Sequence, residues 1–269
     1  MKVISLTSIP SRFKYLGPTL ASLMRQGADE VRLYIPNSYR RFPEWDGSLP
    51  NCPRGVMICR SDEDYGPATK ILPACRDLKF SSAQILFCDD DCICPEGWAQ
   101  RLFKIQRSRS NQAVAVYVRS AEGYVSNKVP VKFRPRAWQL PISLDLPYRF
   151  SRLLFKTIGS NTLNRRPFII PGYGDIFFGA AGVVVRSDFY DDLAYDIPRD
   201  AWPVDDVWLS ANLARRGTLI YCPLMCALPQ STKTSSKDAL LDAEFYGMKR
   251  QELNRAAAQI CQKKFGIWL

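Results

Sequence analysis

Residues 83–94, "AQILFCDDDCIC", run from an apolar strand signal into three consecutive aspartates with thiols on both sides. Around them the first hundred residues alternate strand and helix signals. "KVISLTS", "EVRLYIP", "GVMICR" and "AVAVYV" read as strands, "PATKILPACRDL" as a helix, whole or broken at Pro73, and "PEGWAQRLFKIQ" as a helix. "GPTLASLMRQG" is a further helix, with Pro18 in its first turn and Gly27 past its end. Alternation of this kind implies an α/β chain with a mostly parallel sheet and helices on its faces. Such sheets bind ligands beyond the carboxyl ends of their strands. Three polar sets fall there: Thr7 to Arg12, Ser61 to Lys70, and Asp89 to Asp91.

The chain has 269 residues, and 37 Lys and Arg against 26 Asp and Glu give a net charge of +11. That excess favours an anionic partner (nucleotide, phospholipid surface, phosphorylated glycan or nucleic acid) or belongs to a solvated surface. There is no histidine, which excludes histidine acid/base catalysis, histidine zinc ligands and the Ser-His-Asp triad. Nine cysteines, most of them in apolar strand-like contexts, point to reduced, buried thiols in a cytoplasmic protein. The apolar stretch before Arg12 is too short for a signal peptide. The longest apolar candidate, residues 168–185, is broken by Pro171, glycines and Asp175, so a soluble or peripheral protein is expected.

From about residue 122 to 170 the alternation fails. Residues 128–166 carry nine basic side chains against one acid, Asp145, and read as an insertion or long loop over one sheet edge. The pattern resumes with "GAAGVVVRSDFYDDL", the helix "DDVWLSANLARRG" and the strand "TLIYCPLMC". Residues 237–264 read as a charged helix with apolar positions at Leu240, Leu241, Phe245, Met248 and Leu253.

The acidic triplet poses a choice of metal chemistry. Cys88, Cys92 and Cys94 are four and two residues apart and form no CxxC pair, which is poor zinc spacing. Three acids favour a hard cation. Asp89 and Asp91, two residues apart on an extended segment, point the same way. Mg²⁺ or Mn²⁺ held by one or two carboxylates plus substrate phosphate oxygens is the expected form. On the triplet alone, a solvated acidic turn or an N-cap cluster before the helix near Pro95 fits as well.

Four segments taken in order extend the reading: "SLTSIPSR", "DYGPATK" leading to "CDDD", "GAAGVVVRSDFY", and "VDDVWLSANLARRG". Together they resemble glycosyltransferases of the GT-A fold, especially family-2-like bacterial sugar transferases, over roughly residues 2–225. The resemblance implies one Rossmann-like catalytic domain over 1–269, with helices on both sheet faces. Its parts would be a nucleotide-binding half (1–121), an acceptor-side half with the basic insertion (122–236) and a C-terminal helical tail (237–269). It implies inverting, Mn²⁺- or Mg²⁺-dependent transfer from a nucleotide-sugar to a glycan or lipid-linked acceptor, at the inner face of a membrane if the basic segment meets anionic lipid.

Carried over residue by residue, Thr7, Ile9 and Arg12 would line the base and ribose. Asp64 would meet the nucleoside, and Lys70 the nucleoside or diphosphate. Asp89 or Asp90 would contact the ribose or a metal-bound water, with Asp91, together with Asp89, at the cation. Asp206 would be the catalytic base, with Asp205 beside it; the helix N-terminus favours its ionised form, and helix capping is the plainer role for both. Gly179, Ala180, Ala181 and Gly182 would let an acceptor sugar approach the backbone, or simply serve packing. Trp98, Trp138 and Trp202 are candidates to stack on sugar rings, though tryptophans more often sit in cores. A histidine that ligates metal in many GT-A enzymes has no counterpart; Gln230, Ser231 or nothing stands in its place.

Two other readings compete. The basic segment, interleaved with Phe133, Trp138, Tyr148 and Phe155, would suit a nucleic-acid-binding protein. No recognition-helix or RNA-binding motif accompanies it, and the acidic triplet in the main groove counts against it. The other reading is a catalytically inactive relative that only binds nucleotide.

Overall fold

In the computed structural model, residues 1–125, 135–158, 164–232, 238 and 245–268 are described. Eight strands form the central sheet: β1 (Lys2–Thr7), β2 (Glu30–Pro36), β3 (Val56–Ser61), β4 (Gln84–Phe87), β5 (Ala113–Ala115), β6 (Gly172–Gly174), β7 (Val183–Arg186) and β8 (Ile220–Cys222). Their order is β6-β8-β5-β7-β4-β1-β2-β3. Strands β1 to β5 and β8 run the same way, while β7, wedged between β4 and β5, and the edge strand β6 run against them. The sheet is therefore mostly parallel and Rossmann-like, the architecture expected.

Period-two alternation sends side chains into two cores, one on each face. Val3, Ile85, Phe87, Val183 and Val185 enter one core with Leu72, Trp208 and Leu253. Ile4, Leu6, Leu86 and Val184 enter the other with Leu20 and Leu102. Those last five helical residues belong to α1 (Gly17–Met24), α2 (Leu72–Asp77), α3 (Trp98–Ser108), α5 (Asp205–Arg215) and α6 (Arg250–Phe265). Strands covered on both faces carry continuous apolar runs, and all four residues of β4 are buried.

Several expectations are corrected. "PATKILPACRDL" is broken, at Ile71 rather than at Pro73: a 3-10 turn at Gly66–Lys70 is followed by α2 with Pro73 in its first turn. "AVAVYV" also splits, into β5 and a two-residue strand, Val118–Arg119, paired with Ile176–Phe177. The irregular region contains a helix, α4 (Leu146–Ile158), and a ribbon of Trp138–Gln139 against Phe168–Ile170. α4 does carry a helical apolar spacing at Leu146, Phe150 and Leu153, passed over among the prolines and aromatics of this region, and that stripe faces solvent: Leu146 and Phe150 are each more than 60% exposed. The tail helix begins at Arg250, where Glu252 accepts a hydrogen bond from the Lys249 N–H at 2.8 Å. Phe245 and Met248 close a turn around Gly247, and Leu240 and Leu241 lie outside the described residues. All nine cysteines are free thiols, seven of them buried. No helix among the described residues is long and apolar enough to cross a membrane.

Candidate active site

The carboxyl ends of β1, β3 and β4 open into a cleft of about 650 Å³ that the N-terminus of α5 also enters. Thr7, Ile9, Arg12, Asp64, Lys70, Asp89, Asp90, Asp91, Ala180, Asp205 and Asp206 all line it. Residues the sequence did not single out line it too, notably Arg41, Arg119, Phe178 and, from the tail helix, Arg250 and Asn254. The tail residues carry no local signal, because only the packing of α6 against α5 brings them there.

The three aspartates after β4 take separate partners. Asp90 is 8% exposed; it accepts from Ser8 Oγ and pairs with Arg12 at 2.8 Å. The same guanidinium reaches Asp91 at 3.0 Å. Asp89 pairs with Lys70 at 2.9 Å, and Lys70 also meets Asp205 at 3.0 Å. Lys70 and Asp205 are both 3% exposed, a buried ion pair inside the wall. Burial alone would lower the Lys70 pKa, but Asp205, Asp89 and Asp206 outweigh it and raise it well above the usual lysine value. Lys70 in turn overcomes the burial of Asp89 and holds that carboxyl below its ordinary range.

Four carboxyls of the cleft go the other way: burial raises Asp64 and Asp90 above the ordinary carboxylate value, and two others rise further. Burial, followed by the charges of Asp89 and Asp90, pushes Asp91 up to about 7. Burial and the charge of Asp205 push Asp206 up to about 7 as well, reversing the expectation that the helix terminus holds it ionised. Asp206 accepts from the Gly179 N–H at 2.9 Å. The adjacent acids are thus divided: Asp205 belongs to the buried pair with Lys70, and Asp206 reaches Gly179.

Asp64 lines the cleft, yet both its carboxylate oxygens accept backbone N–H groups, from Arg40 at 2.7 Å and Gly66 at 2.8 Å. Thr7 donates to the Tyr34 carbonyl at 2.8 Å. Gln230–Ser231 pairs antiparallel with Cys92–Ile93, and the Thr232 N–H donates to the Asp91 carbonyl at 2.8 Å. Ser231 therefore stands beside the acidic triplet and lines the cleft.

Trp98 and Gly182 need a correction. Trp98 is 5% exposed, outside the cleft lining, and packs in the core beneath Gly182. It is closed to a sugar ring in this arrangement. Gly182 has φ +100°, and a Cβ there would lie 2.1 Å from the indole. At Gly179 a Cβ would lie 2.8 Å from Asp206 and 2.9 Å from Lys70. These glycines admit the protein's own side chains, and of the four residues only Ala180 lines the cleft. Gly182→Ala is expected to destabilise the protein by about 1–3 kcal/mol through overpacking. Thermal denaturation checks this, and an unchanged melting temperature would refute the contact.

The thiols turn away from the carboxylates. The sulfurs of Cys88, Cys92 and Cys94 lie within 4.8 Å of one another, all buried, a clustering that the spacing argument did not anticipate. They pack in the core with Trp98 and Leu102, and Cys92 donates to the Asp89 carbonyl at 3.3 Å. None of the three lines the cleft.

No protein-family model matches the chain, and no curated protein matches it in sequence. Among solved structures it is similar to the crystal structure of residues 1–349 of TarS from S. aureus, at 14% identity and a TM-score of 0.42, over 98% of this chain and 72% of that one.

Proposed function

We propose that the chain is a glycosyltransferase that moves a sugar from a nucleotide-sugar donor to a hydroxyl of a glycan or lipid-linked acceptor, with inversion and with help from a divalent cation. The observation that carries the reading is the charge of the cleft. On a protein of net charge +11, seven aspartates line it against five Lys or Arg side chains. An acid excess with two carboxyls raised to about 7 suits a hard cation and a general base, and it opposes a phosphate-tracking groove.

Asp91 is the side chain best placed for the cation: it shares the Arg12 guanidinium with Asp90, but Asp90 is the more buried and is also held by Ser8, and Asp89 is held by Lys70. Ser231 beside it offers a further oxygen in place of the missing histidine. A bound Mn²⁺ or Mg²⁺ would neutralise charge developing on the diphosphate. Arg119 and Arg250 supply additional positive charge in the cleft, a role the buried Lys70 is poorly placed to fill. Asp206 takes the proton of the acceptor hydroxyl as its oxygen bonds to the anomeric carbon. The bond from that carbon to the phosphate oxygen breaks, and its electron pair leaves with the diphosphate.

A titration tests the cation role. Carboxyls whose folded pKa lies above the unfolded value of about 3.9 bind protons more tightly in the folded state, so cation-free protein loses stability as pH rises from about 4 to 7. Mn²⁺ competes with those protons. Its melting-temperature increase, and its enhancement of UDP or GDP binding, are expected to be small near pH 5 and large near pH 8, and largely lost in Asp91→Asn. Equal shifts at both pH values, or an unaffected Asp91→Asn, would remove the cation from the mechanism.

A further inference from the structure

One stretch places large apolar side chains in solvent. Leu144, Leu146, Phe150 and Leu153 are each more than half exposed, and Ile142 is 48% exposed. Leu146, Phe150 and Leu153 are spaced by four and three residues along α4, which sets them on one face. Arg149 and Arg152 are exposed on the same helix. Asp145, the only acid between 128 and 166, is 9% exposed and pairs with Arg165 at 3.2 Å. The sole negative charge of the segment is thus turned inward and matched, and the helix shows solvent an apolar and cationic surface.

We propose that Ile142–Leu153 is a docking surface for an anionic lipid bilayer, lying in the interface with Leu146, Phe150 and Leu153 among the acyl chains. Apolar side chains flanked by arginines are what such a surface takes up, each cation near it adding attraction to anionic headgroups. A second copy of the chain is a poorer occupant: self-pairing through this helix would bring Arg149 and Arg152 against their own copies with no exposed acid in the segment to answer them. The segment is also tied to the cleft rim. Leu228 donates to the Arg165 carbonyl at 2.7 Å, and the strand that follows, Gln230–Ser231, pairs beside the acidic triplet. The connection runs from the docking segment through the Asp145–Arg165 pair to the strand beside the triplet, which favours a lipid-linked acceptor. That last step rests on the transferase reading, whereas the docking itself does not.

Arg136 and Arg165 are committed to Asp175 and Asp145, and Arg134 lies outside the described residues, so Arg149 and Arg152 are the cations to test. The experiment is co-sedimentation of the full chain with phosphatidylcholine vesicles, with and without phosphatidylglycerol. The unmodified protein is expected to bind the anionic vesicles, less so as salt rises. Arg149→Gln with Arg152→Gln is expected to weaken that binding about thirtyfold. Leu146→Ser, Phe150→Ser and Leu153→Ser together are expected to weaken it about tenfold or more. Both variants should keep their melting temperature and their affinity for UDP or GDP. No binding by the unmodified protein, or undiminished binding by the triple variant, overturns the proposal. So does a triple variant that changes the protein's oligomeric state while vesicle binding stays the same. If the unmodified protein binds vesicles but no nucleotide, the transferase reading fails and the docking surface stands.

Discussion

Asp206→Asn is expected to lower turnover by about 10²–10⁴-fold, with donor nucleotide affinity and melting temperature close to unchanged. The amide oxygen can still accept from the Gly179 N–H, so the local bond survives while the proton acceptor is lost. A carboxyl raised to about 7 is half ionised near neutral pH and strong enough as a base to take a hydroxyl proton as the sugar bond forms. Turnover of the unmodified protein at saturating cation should therefore climb from pH 5 and level off above about 7. Asp205→Asn separates base from scaffold. Asp205 is buried against Lys70, so its loss should show first in the melting temperature. If Asp205→Asn loses turnover without loss of stability while Asp206→Asn stays active, the assignment within the pair is reversed.

The division of that pair was not legible in the sequence. Adjacent residues on a helix point about 100° apart, and which one faces inward depends on where Lys70 arrives from another element. The sheet was legible because strands covered on both faces are nearly continuous apolar runs, as "ILF" and "VVV" are. The three polar sets followed from the sheet, since parallel strands deliver their carboxyl ends to one edge. Trp98 shows where this ran out: its place depends on Gly182, 84 residues later, opening room for the indole. The thiols left a signal that went unused. Cys88, Cys92 and Cys94 share parity along the chain, and Asp89 and Asp91 have the other, so an extended backbone sends them to opposite sides. α4 left an unused signal too, Leu146, Phe150 and Leu153 at helical spacing; that the stripe faces solvent rather than the core was not legible.

Lys70→Met is expected to cost about 3–5 kcal/mol of stability, the penalty for stranding buried charge when one partner of an ion pair is removed. For a chain of this size that is a fall of roughly ten degrees in melting temperature. The side chain is 4% exposed and stands 2.9 Å from Asp89 and 3.0 Å from Asp205, with Asp206 adding to the field around it. Methionine fills the space but leaves those carboxylates without their cation. Without Lys70 to offset it, burial raises the folded pKa of Asp89 above its unfolded value, so the variant should be least stable at high pH and recover as pH falls toward 5, where protonation removes the repulsion. The cause can be checked by coupling. Adding Asp205→Asn to Lys70→Met should restore part of the lost stability, although Asp205→Asn alone is destabilising. Additive losses in the double variant, or a Lys70→Met penalty that does not vary with pH, would show that lysine packing rather than its charge holds this wall of the cleft together.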